Sequence, residues 1–141
     1  MPQKSRKAWR PKRIKPTRPP PRGPVWTDFV DSYLETALWS SFDDEGNSLD
    51  DEYSTEDFSH EALSQAIMES TKFIDENWDD LIESGGSEDR HGHDFWLTRN
   101  RHGAGFWDRG YDDIGKRLTE AAHAYGELYI YAGDDGLLYF S

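Results

Sequence analysis

The sequence has no cysteine, no acidic residue before Asp28, no proline after Pro24 and no apolar run of membrane-spanning length. Each absence excludes something. Without cysteine there is no disulfide scaffold and no thiolate-ligated metal. Without about 20 consecutive apolar residues no transmembrane helix is predicted, and the first residues lack the apolar stretch of a secretory signal. The chain is therefore expected to be soluble and intracellular. Residues 1–24 carry nine Lys and Arg side chains and all seven prolines, with no acid to balance them. Residues 25–141 carry the other seven basic side chains and all 28 acidic ones. The overall charge of −12 thus conceals a segment of +9 joined to one of −21.

Two parts follow from that partition. Residues 1–24 read as an extended, disordered arm, because Pro16, Pro19, Pro20, Pro21 and Pro24 oppose helix and like charges repel. Residues 25–141 read as a single acidic α+β domain, long enough for one modest core. Its aromatic residues, among them Trp26, Trp39, Trp78, Trp96 and Trp107, compensate for scarce aliphatics.

Periodicity predicts a first helix over Trp26–Ser40, capped by Thr27 with Asp28 and Asp31 in its first turn. Phe29, Val30, Tyr33, Leu34, Ala37 and Leu38 form its apolar face. Ser41–Ser59 lacks a period and reads as a solvated acidic loop. Ser59 then caps a long helix to about Glu83, ended by Gly85-Gly86. Its stripe is Leu63, Ala66, Ile67, Phe73, Ile74, Trp78, Leu81 and Ile82, with Phe58 and Leu63 as a staple. Phe95–Thr98 is a strand candidate, and Arg99–Gly105 a polar loop. Phe106 and Trp107 resume an apolar segment. Asp112–Tyr125 is a third helix, with Ile114, Leu118, Ala122 and Tyr125 along one side and Gly126 at its end. Glu127–Ala132 and Leu137–Phe140 form a hairpin around Asp135-Gly136. The expected fold is a small antiparallel sheet packed against about three helices.

The densest chemistry lies in residues 91–110. His91, His93 and Asp94 or His102 are a weak candidate metal set, and Gly92 suggests a turn among them. A hydrolytic reading makes a histidine the base, Asp94 or Asp108 its orienter, and Arg99, Arg101 or Arg109 the anion stabiliser. The plainer alternative is structural: Asp108, Arg109 and neighbouring pairs tie a glycine-rich loop to the sheet, while Trp96, Phe106 and Trp107 fill the core. Gly103-Ala104-Gly105 lacks the third glycine and the strand-to-helix context of a dinucleotide site, so it reads as a turn. In the acidic loop, Asp43, Glu45, Gly46 and Glu52 match calcium-loop positions, but Ser41 replaces the first carboxylate. No cofactor and no catalytic residue is assigned.

The run His93-Asp94-Phe95-Trp96-Leu97-Thr98-Arg99-Asn100, followed after Arg101 by His102-Gly103-Ala104-Gly105-Phe106-Trp107-Asp108-Arg109, resembles a signature of small phage- and plasmid-associated proteins. Ala124-Tyr125-Gly126-Glu127-Leu128-Tyr129-Ile130-Tyr131-Ala132-Gly133-Asp134-Asp135-Gly136 continues it. The chain departs from the pattern at Arg101, where glycine is commoner, and in its long basic arm. The resemblance implies a mobile-element context and the cytoplasm of a bacterial host. It carries no activity with it.

The charges then lead the functional reading. Residues 25–90 hold 20 acidic and two basic side chains. Asp75, Glu76, Asp79, Asp80 and Glu83 are the densest helical group and the best candidates for contact with a basic, nucleic-acid-processing host protein, by DNA mimicry or inhibition of a defence enzyme. A solvated acidic face is the plain alternative. The second reading is sequence-independent nucleic-acid binding by Lys4, Arg6, Lys7, Arg10, Lys12, Arg13, Lys15, Arg18 and Arg22, with Trp9 stacking on a base and Arg99 and Arg101 as a further contact. Arg13, Pro16 and Pro19 also fit a polyproline ligand pattern. Folding of the arm onto the acidic body, or onto a neighbouring chain, is a further use of the same charges. A histidine-dependent hydrolase is the third class.

Overall fold

The computed structural model describes residues 23–141, with side chains from Trp26 onward. Residues 1–22 of the expected disordered arm, with Trp9 and the nine Lys and Arg residues, lie outside the described residues, whereas its last two, Gly23 and Pro24, belong to the first helix and not to the arm. Among those described, five α-helices and one two-stranded antiparallel sheet form an α+β fold. The helices are α1 (Gly23–Trp39), α2 (His60–Glu76), α3 (Trp78–Ser84), α4 (Glu88–Arg99) and α5 (Asp113–His123). The strands are β1 (Ile130–Ala132) and β2 (Leu138–Phe140).

The first helix begins earlier than its apolar period suggests. Pro24 lies in its first turn, where a missing N–H costs nothing and the fixed φ suits the helix. Thr27 is therefore inside α1 rather than its cap, and Asp28 and Asp31 lie beyond the first turn. The expected apolar face holds: Phe29, Tyr33, Leu34, Ala37 and Leu38 are buried.

The acidic stretch after α1 is more ordered than a solvated loop. Phe42 bridges Ser48, Leu49 is buried in one 3-10 turn and Thr55–Asp57 forms another. Phe58 is buried, forms a parallel bridge to Leu138 and sets its ring 5.5 Å from that of Phe140, tilted by 35°. Leu63 is 38% exposed, so the expected staple gives way to a contact with the hairpin.

Ser59 caps α2 as expected, its Oγ accepting from Ala62 N–H at 3.0 Å. The single long helix expected here is two. Asn77 donates from both its main-chain N–H and its side-chain Nδ2 to the Phe73 carbonyl, at 3.0 and 2.9 Å. The side chain shares the acceptor of the last helical bond, Asn77 itself leaves helical geometry at φ −120° and ψ 25°, and the helix restarts at Trp78. Gly85, at φ +79°, ends α3. Ala66, Phe73, Ile74 and Leu81 of the expected stripe are buried, whereas Ile67 and Ile82 are exposed.

The largest departure is α4. Phe95–Thr98 is not a strand; it lies in a helix capped by Ser87, whose Oγ accepts from Arg90 N–H. His91, Gly92 and every residue from Asp94 to Arg99 are buried. A helix buried on nearly all sides has no polar face and hence no amphipathic period to read. Gly92 is no turn residue: a Cβ there would collide with the Phe29 carbonyl oxygen, so glycine lets α1 and α4 cross closely. These two helices form the most extensive packing in the fold.

The third expected helix is α5, shorter at both ends, with Leu118 and Ala122 buried and Gly126 at φ +79° behind it. The hairpin pairs Ile130 with Phe140, Tyr131 with Tyr139 and Ala132 with Leu138, and Gly136 at φ +82° makes its turn. Phe73 stacks on Phe95 at 4.2 Å, and Tyr33, Phe29, Phe106 and Tyr125 surround this pair.

Arg99 ends α4 inside that aromatic shell, 2% exposed. Its Nη1 donates to Glu69 at 2.6 Å and to the Tyr33 hydroxyl at 3.0 Å. Nε and Nη2 donate to the carbonyls of Gly126 and Tyr125 at 2.9 and 3.0 Å. The guanidinium also lies 5.6 Å from the Tyr125 ring centre.

Two substitutions test this arrangement. Arg99→Ala leaves Glu69 and Tyr33 without their buried partner and should cost about 3–5 kcal/mol in denaturant unfolding. Gly92→Ala should cost about 1–3 kcal/mol by forcing α1 and α4 apart.

Candidate functional site

Helical geometry separates the groups of the 91–110 signature. On α4, His91 and His93 point to different sides. His91 is 1% exposed, with Nε2 3.3 Å from the Leu81 carbonyl and 3.2 Å from Ser84 Oγ. Since a carbonyl only accepts, Nε2 carries the proton and Nδ1 is left as an acceptor, buried without a partner. His93 Nδ1 instead meets Thr36 Oγ1 at 3.1 Å, and its ring lies against Trp39.

The carboxylates are committed elsewhere. Asp94 is fully buried and takes a two-pronged bond from Arg109, at 2.9 and 2.8 Å. Asp108 accepts from Gly105 N–H at 3.2 Å. Arg109 thus ties its loop to α4 through Asp94, not to the sheet through Asp108. Neither Asp94 nor Asp108 hydrogen-bonds a histidine, so the hydrolytic arrangement is not assembled. Among the described residues no group of three or more His, Asp or Glu side chains could hold a metal. That sets aside both the histidine set and the calcium loop. In that loop the Asp43 carboxylate accepts from Glu45 N–H and Asn47 N–H, both at 2.9 Å, and shapes a turn.

Arg99 cannot serve as a nucleic-acid contact, because its donors are consumed inside the core. Arg101 is exposed at φ +58°, a backbone region that favours glycine. Trp96 and Phe106 are core residues as expected, but Trp107 is 57% exposed.

The five acidic candidates straddle the break at Asn77. Asp75 and Glu76 end α2, while Asp79, Asp80 and Glu83 belong to α3. Asp80 accepts from Arg117 at 3.0 and 2.7 Å, and Glu76 pairs with Lys72 at 3.1 Å. Asp75 is half-buried. Asp79 and Glu83 are exposed, one turn apart, with exposed Ile82 between them in sequence. The helical array is therefore narrower than its sequence density implies.

A cleft of about 500 Å³ opens where α1, α3 and the start of α4 meet. Trp26 and Trp78, edge-to-face at 5.5 Å, supply aromatic walls, and Asp28, Glu88 and Asp89 supply carboxylates. No Lys or Arg is among the described residues that line it. Burial raises the Glu88 pKa, and the charges of Asp28 and Asp89 raise it further. His91 is also among the lining residues. A Cβ on Gly86 would collide with the Tyr111 hydroxyl and come within 2.7 Å of the His91 ring. Trp26 Nε1, His91 Nδ1 and the Tyr111 hydroxyl are buried without partners, each omission costing about 1–3 kcal/mol. Sequence reading missed this site because its residues come from three separated segments. The Gly85-Gly86-Ser87 link was visible, but only as a helix end.

No protein-family model matches the chain, and no curated protein or solved structure does.

Burial holds His91 below the ordinary histidine value of 6.5. The unfolded chain then takes up its proton at a higher pH than the folded one. This contribution to stability is complete above the ordinary value and is lost as pH falls toward the folded one. His93 and His123 are shifted the same way, again chiefly by desolvation. The melting temperature should drop between about pH 7.5 and 5.5, and His91→Gln should flatten that dependence. An unchanged slope in the variant would refute the assignment to His91.

Proposed function

We propose that this protein is a non-enzymatic accessory protein of a phage or related mobile element, binding a basic, nucleic-acid-processing host protein through its acidic surface. DNA mimicry or inhibition of a defence enzyme is the use such a surface would have. The observation that carries this reading is the imbalance of residues 25–141: seven cations face 28 carboxylates. Four of those cations are already paired within the chain, Arg99 and Arg109 with partners in the packed interior and at its edge, Lys72 and Arg117 on the surface. The body therefore presents a negative field that steers a basic partner and repels nucleic acid.

Placement of the signature residues supports binding over catalysis. His91, His93, Asp94 and Asp108 meet structural partners instead of one another, and His102 is exposed on the loop after α4. Withdrawal of Arg99 into the core also removes one of the two contacts outside the arm that a nucleic-acid-binding role would use. The contact set narrows to Asp79 and Glu83, with Glu76 at the edge.

Affinity capture from a bacterial lysate with the full chain tests the proposal. The unmodified protein should retain one basic protein at high salt, and Asp79→Lys/Glu83→Lys should lower that recovery about tenfold or more. Capture of only a broad set of basic proteins at low salt, or capture indifferent to the double reversal, would count against it. Retention of single-stranded DNA that vanishes on deletion of residues 1–22 would favour the arm as the working surface.

A further inference from the structure

We propose that the free edge of β1 is a docking surface for an extended, basic segment of a partner protein, which adds to the hairpin as a third strand. The two edges of this hairpin differ. On the β2 side, Ser59 N–H donates to the Leu138 carbonyl at 2.9 Å, and Phe58 forms a parallel bridge to the same residue. On the β1 side, among the described residues, no further strand is paired. Bonds within the hairpin show which groups face that way. Tyr129 and Ser141 exchange N–H to carbonyl bonds at 3.2 and 2.8 Å, and Gly133 N–H donates to the Leu137 carbonyl at 2.8 Å. Antiparallel pairing alternates, so Tyr131 turns inward to Tyr139, while Ile130 and Ala132 turn their N–H and C=O groups outward. No other described main-chain group bonds to them.

Exposed edges are ordinarily blunted by lysine, proline or a bulge. Ile130, Tyr131 and Ala132 include none of these, and their register with β2 is unbroken. What flanks the edge is negative charge. Glu127 precedes it and Asp134 and Asp135 follow, all exposed, and residues 118–141 contain no Lys or Arg. Those charges choose the occupant. A second copy pairing antiparallel about Tyr131 sets Glu127 opposite Asp135 at both ends. A parallel, in-register copy sets each acid beside itself. Like charges facing each other across a ladder are destabilising. A strand carrying Lys or Arg meets the same acids as counterions.

β1 has three residues, so a ladder alone is weak and side chains must add to it. They alternate between two faces. Ile130 and Ala132 lie on the side of Leu138 and Phe140, toward the core. Tyr131 lies on the other side, stacked against Tyr139 at 5.5 Å, and Tyr129 continues that row. Tyr129 and Tyr131 are 61% and 51% exposed. Carboxylates end the row: Glu127 accepts from the Tyr129 hydroxyl at 2.6 Å, and Asp135 accepts from the Tyr139 hydroxyl. A third strand lies about 4.8 Å from β1, so its side chains on this face reach the tyrosine rings. A guanidinium there meets ring faces and carboxylates together. Side chains on the opposite face meet Ile130 and Ala132 and are best apolar. The segment recognised therefore alternates basic and apolar residues. Only the basic character of the partner rests on the proposed function.

Titration of the full chain with a blocked peptide of alternating arginine and valine, followed by amide NMR, tests the edge without any host protein. Saturable shifts are expected at the Ile130 and Ala132 N–H groups, with hydrogen exchange there slowed about tenfold or more. The Tyr131 N–H, already turned toward Tyr139, should change little. Tyr131→Thr keeps a strand-forming residue without the ring and should weaken binding about tenfold. Glu127→Gln/Asp134→Asn should weaken it about fivefold. An N-methylated counterpart keeps the charges, lacks the N–H groups and should not shift Ile130 or Ala132. Equal binding of that counterpart would overturn the proposal by reducing it to charge alone. So would shifts centred on Asp79 and Glu83, or protection of Ile130 and Ala132 that grows with protein concentration in the absence of peptide, which would assign the edge to a second copy. An edge indifferent to the peptide, alongside host-protein capture still lost on Asp79→Lys/Glu83→Lys, would sink the docking edge and leave the proposed function standing.

Discussion

A guanidinium buried among aromatic rings is the constraint around which this fold is arranged. An ion of that kind is costly to remove from water and is tolerated only when its donors are met. Arg99 meets them with a phenol of α1, a carboxylate of α2 and two carbonyls following α5. The same residue therefore fixes α4 against two helices and sets where the chain must turn before the hairpin. Burial works against its charge, but the Glu69 carboxylate and the hydrogen bonds to Glu69 and Tyr33 favour it. Tyr33 in turn is held well above the ordinary phenol range, chiefly by its own burial, so it remains a neutral partner.

The rest of the signature segment is spent in similar ways. Thr98 Oγ1 accepts from Phe106 N–H at 3.2 Å, which draws the following loop back onto α4. Trp96 Nε1 donates to Ser40 at 2.9 Å and anchors the end of α1. Asp94 holds Arg109. A dense run of polar and aromatic residues, which resembles the makings of an active site, is here the inner skeleton of a core short of aliphatic side chains. Chemistry directed outward rests instead with the carboxylates of α3 and of the cleft beside α1. Long-range charge serves recognition better than reaction, since it requires complementarity in a partner and no aligned nucleophile or base.

Local signals that act within a few residues were legible. Ser59 as a cap, Gly85 as a stop and Asp135-Gly136 as a hairpin turn each work through the adjacent backbone. The face of α1 was legible because one side of that helix meets the core and the other meets water. α4 was not, because burial on nearly all sides erased the contrast on which periodicity depends. A better signal lay just upstream: Ser87 followed by Glu88 and Asp89 is a helix start with acids in its first turn. The break at Asn77 was hidden for another reason. The apolar stripe passes through it, and only the backbone angles of Asn77, φ −120° and ψ 25°, show that the helix has ended.

Charge is a sum over residues, so the sequence alone determined the polycationic first segment, the acidic body and the scarcity of cations within it. Which of those charges remain available is not a sum. Glu69 and Arg99 lie 30 positions apart, Asp80 and Arg117 37, and Asp94 and Arg109 15. Only the packed chain brings them together, and each meeting takes a carboxylate away from the free surface. The cleft arises in the same way: Asp28, Glu88 and Asp89 are ordinary surface acids until α1 and the start of α4 converge on two tryptophans. Tertiary structure made that selection because burial and pairing depend on distance in space, which the order of residues does not record.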